Sequence, residues 1–135
     1  VIYNGSENNF LGWIRSSLKN NKQINVVTDQ LSNPTWSWSL SEAIYKSILN
    51  NLEGLYHYAG DDVLSRYDFA LKIAKAYNYN PDQIKPIKSD KLNQPARRPS
   101  ISTLSTDKIK SCIDIEHPSI SNVLLILNKE NIHYG

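Results

Sequence analysis

The run Ile24-Asn25-Val26-Val27 lies between two stretches of helical periodicity and ends on the polar triplet Thr28-Asp29-Gln30. No other feature constrains the fold as much. A short β-branched run beside helices reads as a buried strand whose carboxyl end carries polar groups. Upstream, Asn8 or Asn9 can cap a helix in which Phe10, Trp13, Ile14 and Leu18 recur at helical spacing, and Asn20-Asn21 offers its stop. The apolar face of that helix needs a sheet to cover it.

Downstream, Ser39 and Glu42 stand at capping-box spacing before Leu40, Ala43, Ile44, Ile48 and Leu52, and Gly54 is the expected end of this helix. Leu55 to Ala59 is a second strand candidate, closed by Gly60-Asp61-Asp62. Ser65 and Asp68 then predict another capped start, with Leu64 placed to staple onto Phe69 and the stripe continuing through Ala70, Ile73, Ala74 and Tyr77. Asn78 to Pro81 breaks that helix, Ile84 to Ile87 reads as a third short strand, and Lys88 to Ser102 is a polar loop centred on Arg97-Arg98-Pro99. A helical turn around Thr106 to Cys112 and a last helix capped by Ser119 or Ser121, carrying Val123, Leu124, Ile126 and Leu127, complete the pattern.

Helices alternating with short strands indicate an α/β unit, helix-rich, as a single domain over residues 1–135. So few short strands make a poor sheet. We therefore expect Ile24 to Val27 and Leu55 to Ala59 to need neighbours from a missing upstream part. Edges left open in this way predict a homodimer or a swapped assembly. The absence of Met and the opening Val1-Ile2-Tyr3, which reads like the end of a buried strand, also suggest that sequence precedes Val1.

Charge narrows the partners. The net +2 comes from 15 basic and 13 acidic residues scattered along the chain, with no run of like charges to form a nucleic-acid or membrane patch. The lone Cys112 cannot close an internal disulfide, and there is no signal-peptide-like start and no stretch of the roughly 20 apolar residues a bilayer crossing needs. A cytoplasmic setting is expected, with neither nucleic acid nor membrane as partner.

His57, His117 and His133 have no partner at metal-ligand spacing, and the five glycines form no phosphate-cradling loop. No metal ligand and no catalytic residue is assigned. His57 reads as a core or surface-strand histidine and Cys112 as a small buried hydrophobe. Three segments stand out: Asp29 to Thr35, Ser65-Arg66-Tyr67-Asp68, and the arginine-proline loop. In open α/β sheets ligands bind beyond the carboxyl ends of strands, where Gln30 to Thr35 would lie; equally, Asn33-Pro34 can simply make a turn. Arg97 and Arg98 offer fork-shaped donors suited to a diphosphate, or form a solvated basic loop.

Taken in order, these segments resemble the second half of the dTDP-4-dehydrorhamnose reductases, members of the extended short-chain dehydrogenase/reductase superfamily. The likeness covers nearly the whole chain. Val1 to Gly5 is similar to the strand end after the family's Arg-Thr-Ser segment, Asn9-Phe10 to its Asn-Phe helix start, and Asp29-Gln30 through Pro34-Thr35 to its Asp-Gln-x-x-x-Pro-Thr stretch. Gly54-Leu55-Tyr56-His57 resembles its Gly-x-Tyr-His strand, Ser65 to Ala70 its Ser-x-Tyr-x-x-Ala helix, and Arg98-Pro99 through Leu104 its Arg-Pro-x-Asn-Ser-x-Leu loop. The family's glycine in the Asp-Gln stretch is Ser32 here, and its Asn in the arginine-proline loop is Ile101.

The resemblance implies a substrate-holding part without a cofactor site of its own. Neither Gly-x-x-Gly-x-x-Gly nor Tyr-x-x-x-Lys occurs in the chain, so the NADPH or NADH site and the proton-transfer pair would belong to a Rossmann half upstream. By the same resemblance, Asn9 and the segment containing Gln30, Pro34 and Thr35 would lie near the sugar nucleotide, and Arg98 near its diphosphate. Arg66 and Tyr67 are expected to be structural, with Tyr67 packing inward. A non-catalytic binding role, like that of the related regulatory β subunit of methionine adenosyltransferase, is the alternative.

Overall fold

The computed structural model describes residues 1–92, 96 and 98–130, so Arg97 and His133 lie outside the described residues. In chain order the elements are β1 (Ile2–Tyr3), α1 (Phe10–Lys19), β2 (Ile24–Val27), β3 (Leu31–Ser32), β4 (Thr35–Trp36), α2 (Ser37–Leu49), β5 (Leu64–Ser65), α3 (Arg66–Ala76), β6 (Ile84–Ile87), β7 (Ile101–Ser102), α4 (Asp107–Cys112) and α5 (Ile120–Glu130). The architecture is α/β with helices dominant and strands short. Three small ladders hold the strands: β1 parallel to β4, β2 parallel to β6, and a three-stranded sheet in the order β5, β3, β7.

Most helix boundaries follow their local chemistry. Asn9 caps α1, its Oδ1 accepting from the Leu11 and Gly12 amides at 3.0 and 3.3 Å. Ser65 caps α3, its Oγ accepting from the Asp68 amide at 3.0 Å and donating to the Asp68 carboxylate at 2.6 Å. Leu64 packs onto the cluster that contains Phe69, as a hydrophobic staple should. Asn21, Asn51 and Asn78, at φ of 54°, 49° and 55°, turn the chain out of α1, α2 and α3. Asparagine tolerates this left-handed region better than other residues with a Cβ.

Five expectations are corrected. Ile24–Val27 takes its neighbour from within the chain, pairing with Ile84–Ile87 in the register Ile24 to Ile84 through Val27 to Ile87. Pro86, which cannot donate to a ladder, is tolerated there on an exposed edge. Leu55 to Ala59 forms no strand: α4 and residues 113–117 lie beside it but meet it through side chains, such as Lys108 Nζ donating to the Leu55 carbonyl at 2.7 Å, rather than through a backbone ladder, and Leu55 is 74% exposed. The Ser39-Glu42 box does not form: α2 starts at Ser37 straight out of β4, and Ser39 Oγ instead donates back to the Trp36 carbonyl at 3.0 Å. Its end comes at Leu49 and Asn51 rather than at Gly54. Cys112 is exposed rather than buried, since Ile109 and Ile113 occupy the inward positions of its short helix.

The main core joins α1, α3 and α5 to β2 and β6 through Leu11, Ile14, Phe69, Ile73, Val123 and Leu124. Phe69 is its centre, stacked on Phe10 with centroids 5.5 Å apart and set edge-on to Tyr3 at 5.1 Å. Tyr67 packs against the same core, as expected.

Candidate functional site

The register of the three-stranded sheet assembles the site. β3 pairs antiparallel with β5, Leu31 opposite Ser65, and parallel with β7, Leu31 opposite Ile101. Gln30, just before β3, is thereby brought to the same end as Arg66, just after β5, and the Arg98-Pro99-Ser100 approach to β7. The Leu31 amide donates to the Ser100 carbonyl at 2.7 Å and closes this corner. A pocket of about 230 Å³ opens there, lined by Val1, Gln30, Ser32, Arg66, Arg98 and Ser102 among others.

Inside it the polar groups are mainly donors. Gln30 is only 6% exposed, and its Nε2 has no hydrogen-bond partner among the described residues. Such a buried, unmatched donor in a native fold calls for a partner outside the protein. The Arg66 guanidinium is half-buried, and burial followed by the like charge of Arg98 pushes its pKa below the ordinary arginine value. Among the described residues no carboxylate lies within ion-pair distance of Arg66 or Arg98. On its other side Arg66 lies over the Phe10 ring, 5.6 Å from its centroid. A neighbouring pocket of about 400 Å³, lined by Phe10, Trp13, Val26, Val27, Arg66 and Arg98 among others, shares both arginines.

The flanking residues hold this geometry. Asp29, one residue before Gln30, accepts from the Ser89 amide at 3.0 and 3.1 Å and from its hydroxyl at 3.0 Å. Those bonds hold the Asp29 carboxyl below its usual range, the Ser89 amide being the largest cause. Asn33 bridges two segments, donating to the Gly60 carbonyl at 2.9 Å and accepting from the Leu104 amide at 2.9 Å. Thr35 is buried, its Oγ1 donating to the Asn33 carbonyl at 3.1 Å and accepting from the Gly60 amide at 3.3 Å, while its own amide donates to the Val1 carbonyl at 2.8 Å.

The structure therefore brings together Gln30 and Arg98 of the expected site residues. Pro34 and Thr35 are buried beneath the same segment and do not line the pocket. Asn9 stands apart: beyond capping α1, its Nδ2 donates to Asn4 Oδ1 at 2.7 Å and the Ser6 carbonyl at 3.1 Å. Arg66 is the residue that sequence reasoning placed elsewhere. A signal existed, because an arginine in the first turn of a helix opposes the helix dipole and is unlikely to be there for the helix's sake.

Among the described residues, no cluster of three or more His, Cys, Asp or Glu side chains is placed to hold a metal ion. None of the described helices is long and apolar enough to cross a membrane. His117 stacks near Tyr58 with centroids 5.0 Å apart, away from the pocket, and burial lowers its pKa from the usual value.

Comparison with known proteins identifies the family. The family profile "RmlD substrate binding domain" matches residues 1–129. A dTDP-4-dehydrorhamnose reductase from Mycolicibacterium smegmatis is 31% identical over 109 residues, which make up 79% of this chain and 33% of that protein. The dTDP-4-dehydrorhamnose reductase from Bacillus anthracis, solved in complex with NADP, superposes with a TM-score of 0.85 at 27% identity, covering 96% of this chain and 46% of that one. The fold alone recurs in a dTDP-glucose 4,6-dehydratase from Bacillus anthracis, at 10% identity and a TM-score of 0.78 over 96% of this chain and 41% of that one. This chain thus spans between a third and a half of these relatives. It belongs to the RmlD substrate binding domain family, the substrate-side region of the dTDP-4-dehydrorhamnose reductases.

Proposed function

We propose that this chain holds the sugar nucleotide of a 4-keto sugar reduction of the dTDP-4-dehydrorhamnose type, the reaction being completed by residues outside these 135. The observation that carries this reading is the donor-lined pocket, where the unpartnered Gln30 amide and the Arg98 guanidinium face the same space. Arg98 contacts the diphosphate through charge-assisted hydrogen bonds, and Gln30 donates to an oxygen of the sugar or phosphate. Asn9, Pro34 and Thr35 serve as positioning residues of the substrate-holding segments. Phe10 and Trp13 in the adjoining pocket offer a nucleobase an apolar, aromatic surface.

In such a reductase NADPH or NADH supplies the hydride, and what this chain contributes is orientation of the keto carbon, a large share of catalysis in its own right. Calorimetric titration of the protein with dTDP and a dTDP-sugar tests the reading. Binding is expected, and Arg98→Gln should weaken it roughly tenfold or more, as losing a charged hydrogen bond does. No binding of either ligand at millimolar concentration would overturn it.

A separate, apolar groove supports a self-association proposal. Ile44, Ile48, Leu49 and Leu55 are exposed along α2 and the segment after it, with Ile48 at 69%, beside a groove of about 630 Å³. A contiguous apolar surface of this kind is normally covered. We expect the chain to dimerise through it at high concentration, and the double substitution Ile44→Asp/Ile48→Asp to leave a monomer in sedimentation velocity. A wild-type chain that sediments as a monomer throughout would refute this.

A further inference from the structure

We propose that Arg66 is a second anion ligand of the pocket, gripping the diphosphate together with Arg98; the diphosphate identity rests on the nucleotide-sugar reading above. Three independent features converge on Arg66. The β5-β3-β7 register forces its backbone to the same corner as Gln30 and Arg98, so its presence in the pocket wall follows from strand pairing. Its guanidinium is half-buried beside a second guanidinium, with no carboxylate in ion-pair range of either among the described residues. A half-buried guanidinium facing a second, solvent-exposed one of the same charge is unfavourable unless an anion completes the arrangement. Finally, Gln30 Nε2 is a buried donor in the same pocket without a partner among the described residues.

The chemistry selects the ligand class. Two planar guanidinium forks and an amide N–H offer donors, and a diphosphate linking a nucleoside to a sugar carries one negative charge on each phosphate, so two arginines match it in charge. A phosphodiester or a carboxylate, with a single charge, would leave one arginine uncompensated, and a terminal monophosphate would concentrate its charge on one phosphorus instead of spreading it across two forks. The Phe10 ring, its centroid 5.6 Å from the guanidinium carbon, limits the directions the guanidinium can take, so it has less side-chain freedom to lose on binding.

The test is isothermal titration calorimetry of the full chain with inorganic pyrophosphate, dTDP and thymidine. Wild type is compared with Arg66→Met, which keeps an apolar stem over Phe10, and Arg66→Lys, which keeps the charge without the fork; thermal melts monitor folding. Arg66→Met is expected to weaken both pyrophosphate and dTDP by roughly ten- to a hundredfold, with Arg66→Lys in between and thymidine unchanged. Should Arg66→Met fail to fold, Arg66→Lys alone decides, a loss of several-fold supporting the grip and wild-type affinity overturning it.

If folded Arg66→Met binds pyrophosphate as wild type does, Arg66 is not a ligand, although a dTDP complex weakened by Arg98→Gln would leave the nucleotide-sugar reading intact. If wild type binds pyrophosphate but not dTDP and Arg66→Met abolishes that binding, the anion grip holds and the nucleotide reading fails. If wild type binds neither, both are overturned.

Discussion

Replacing Gly60 with alanine is expected to destabilise the protein by about 3 kcal/mol, the upper end of what overpacking usually costs, and to weaken any ligand of the Gln30 pocket with it. A Cβ built on Gly60 comes far closer to the Pro34 carbonyl oxygen than the sum of their van der Waals radii allows and lies 3.4 Å from the Pro34 carbonyl carbon. These are backbone atoms, so no rotamer change relieves the clash. Neither side can easily retreat. The Gly60 carbonyl accepts from Asn33 and its amide donates to Thr35, while Asn33 is also tied to the Leu104 amide. Making room for the methyl group would break bonds between buried polar groups on several segments at once. Urea denaturation should show the midpoint falling with little change in slope, and the affinity for dTDP should fall in the same variant. An unchanged midpoint would show that the Asn33 to Thr35 turn is far softer than its hydrogen bonds indicate.

Phe69→Ala should cost still more, about 3–5 kcal/mol, as is typical of phenylalanine deletion from a packed core. Phe69 is 1% exposed and touches both Phe10 and Tyr3. Aromatic pairs of this geometry contribute roughly 0.5–1.5 kcal/mol beyond simple burial. The site is also enclosed by α1, α3 and the β strands, so collapse into the cavity would have to move whole elements. Against a typical domain stability of about 5–15 kcal/mol, the variant would lose a large fraction of its margin. The consequence extends to the pocket, since Phe10 supports Arg66 and rests on Phe69. Thermal unfolding followed by circular dichroism would register the loss, and a drop in stability below about 1 kcal/mol would show that this core repacks, contrary to the usual behaviour of enclosed aromatic sites.

The local signals that held rest on interactions that are themselves local. The Asn9 cap of α1, the Ser65 to Asp68 capping of α3 and the Leu64 staple each involve residues within a few positions of one another. The free energy of these contacts depends little on the rest of the fold, so spacing sufficed to find them. The strand at Ile24–Val27 was legible for a related reason: β-branched residues between helices have few other uses. Resemblance placed Gln30 and Arg98 near one ligand, and the pocket they line unites them.

Where spacing failed, a competing tertiary contact won or a partner was absent. Ser39 stands at capping distance from Glu42, yet β4 runs directly into α2, so the helix is already under way at Ser39 and the hydroxyl finds the Trp36 carbonyl. Leu55 to Ala59 has strand composition, but strand pairing is a property of two segments, and α4 and residues 113–117 beside it offer side chains rather than an extended backbone edge. Cys112 has the composition of a buried residue in a helix that turns a different face inward.

The amino-acid sequence by itself determined the α/β class, the caps and stops of most helices, the strand at Ile24–Val27 and the family likeness, because these rest on short-range spacing and side-chain chemistry. Only the tertiary structure decided that β2 pairs with β6 and that Arg66 joins Gln30 and Arg98 at one pocket. Both outcomes depend on register between strands far apart in the chain, and register is set by how the helices pack over the sheets rather than by any local pattern.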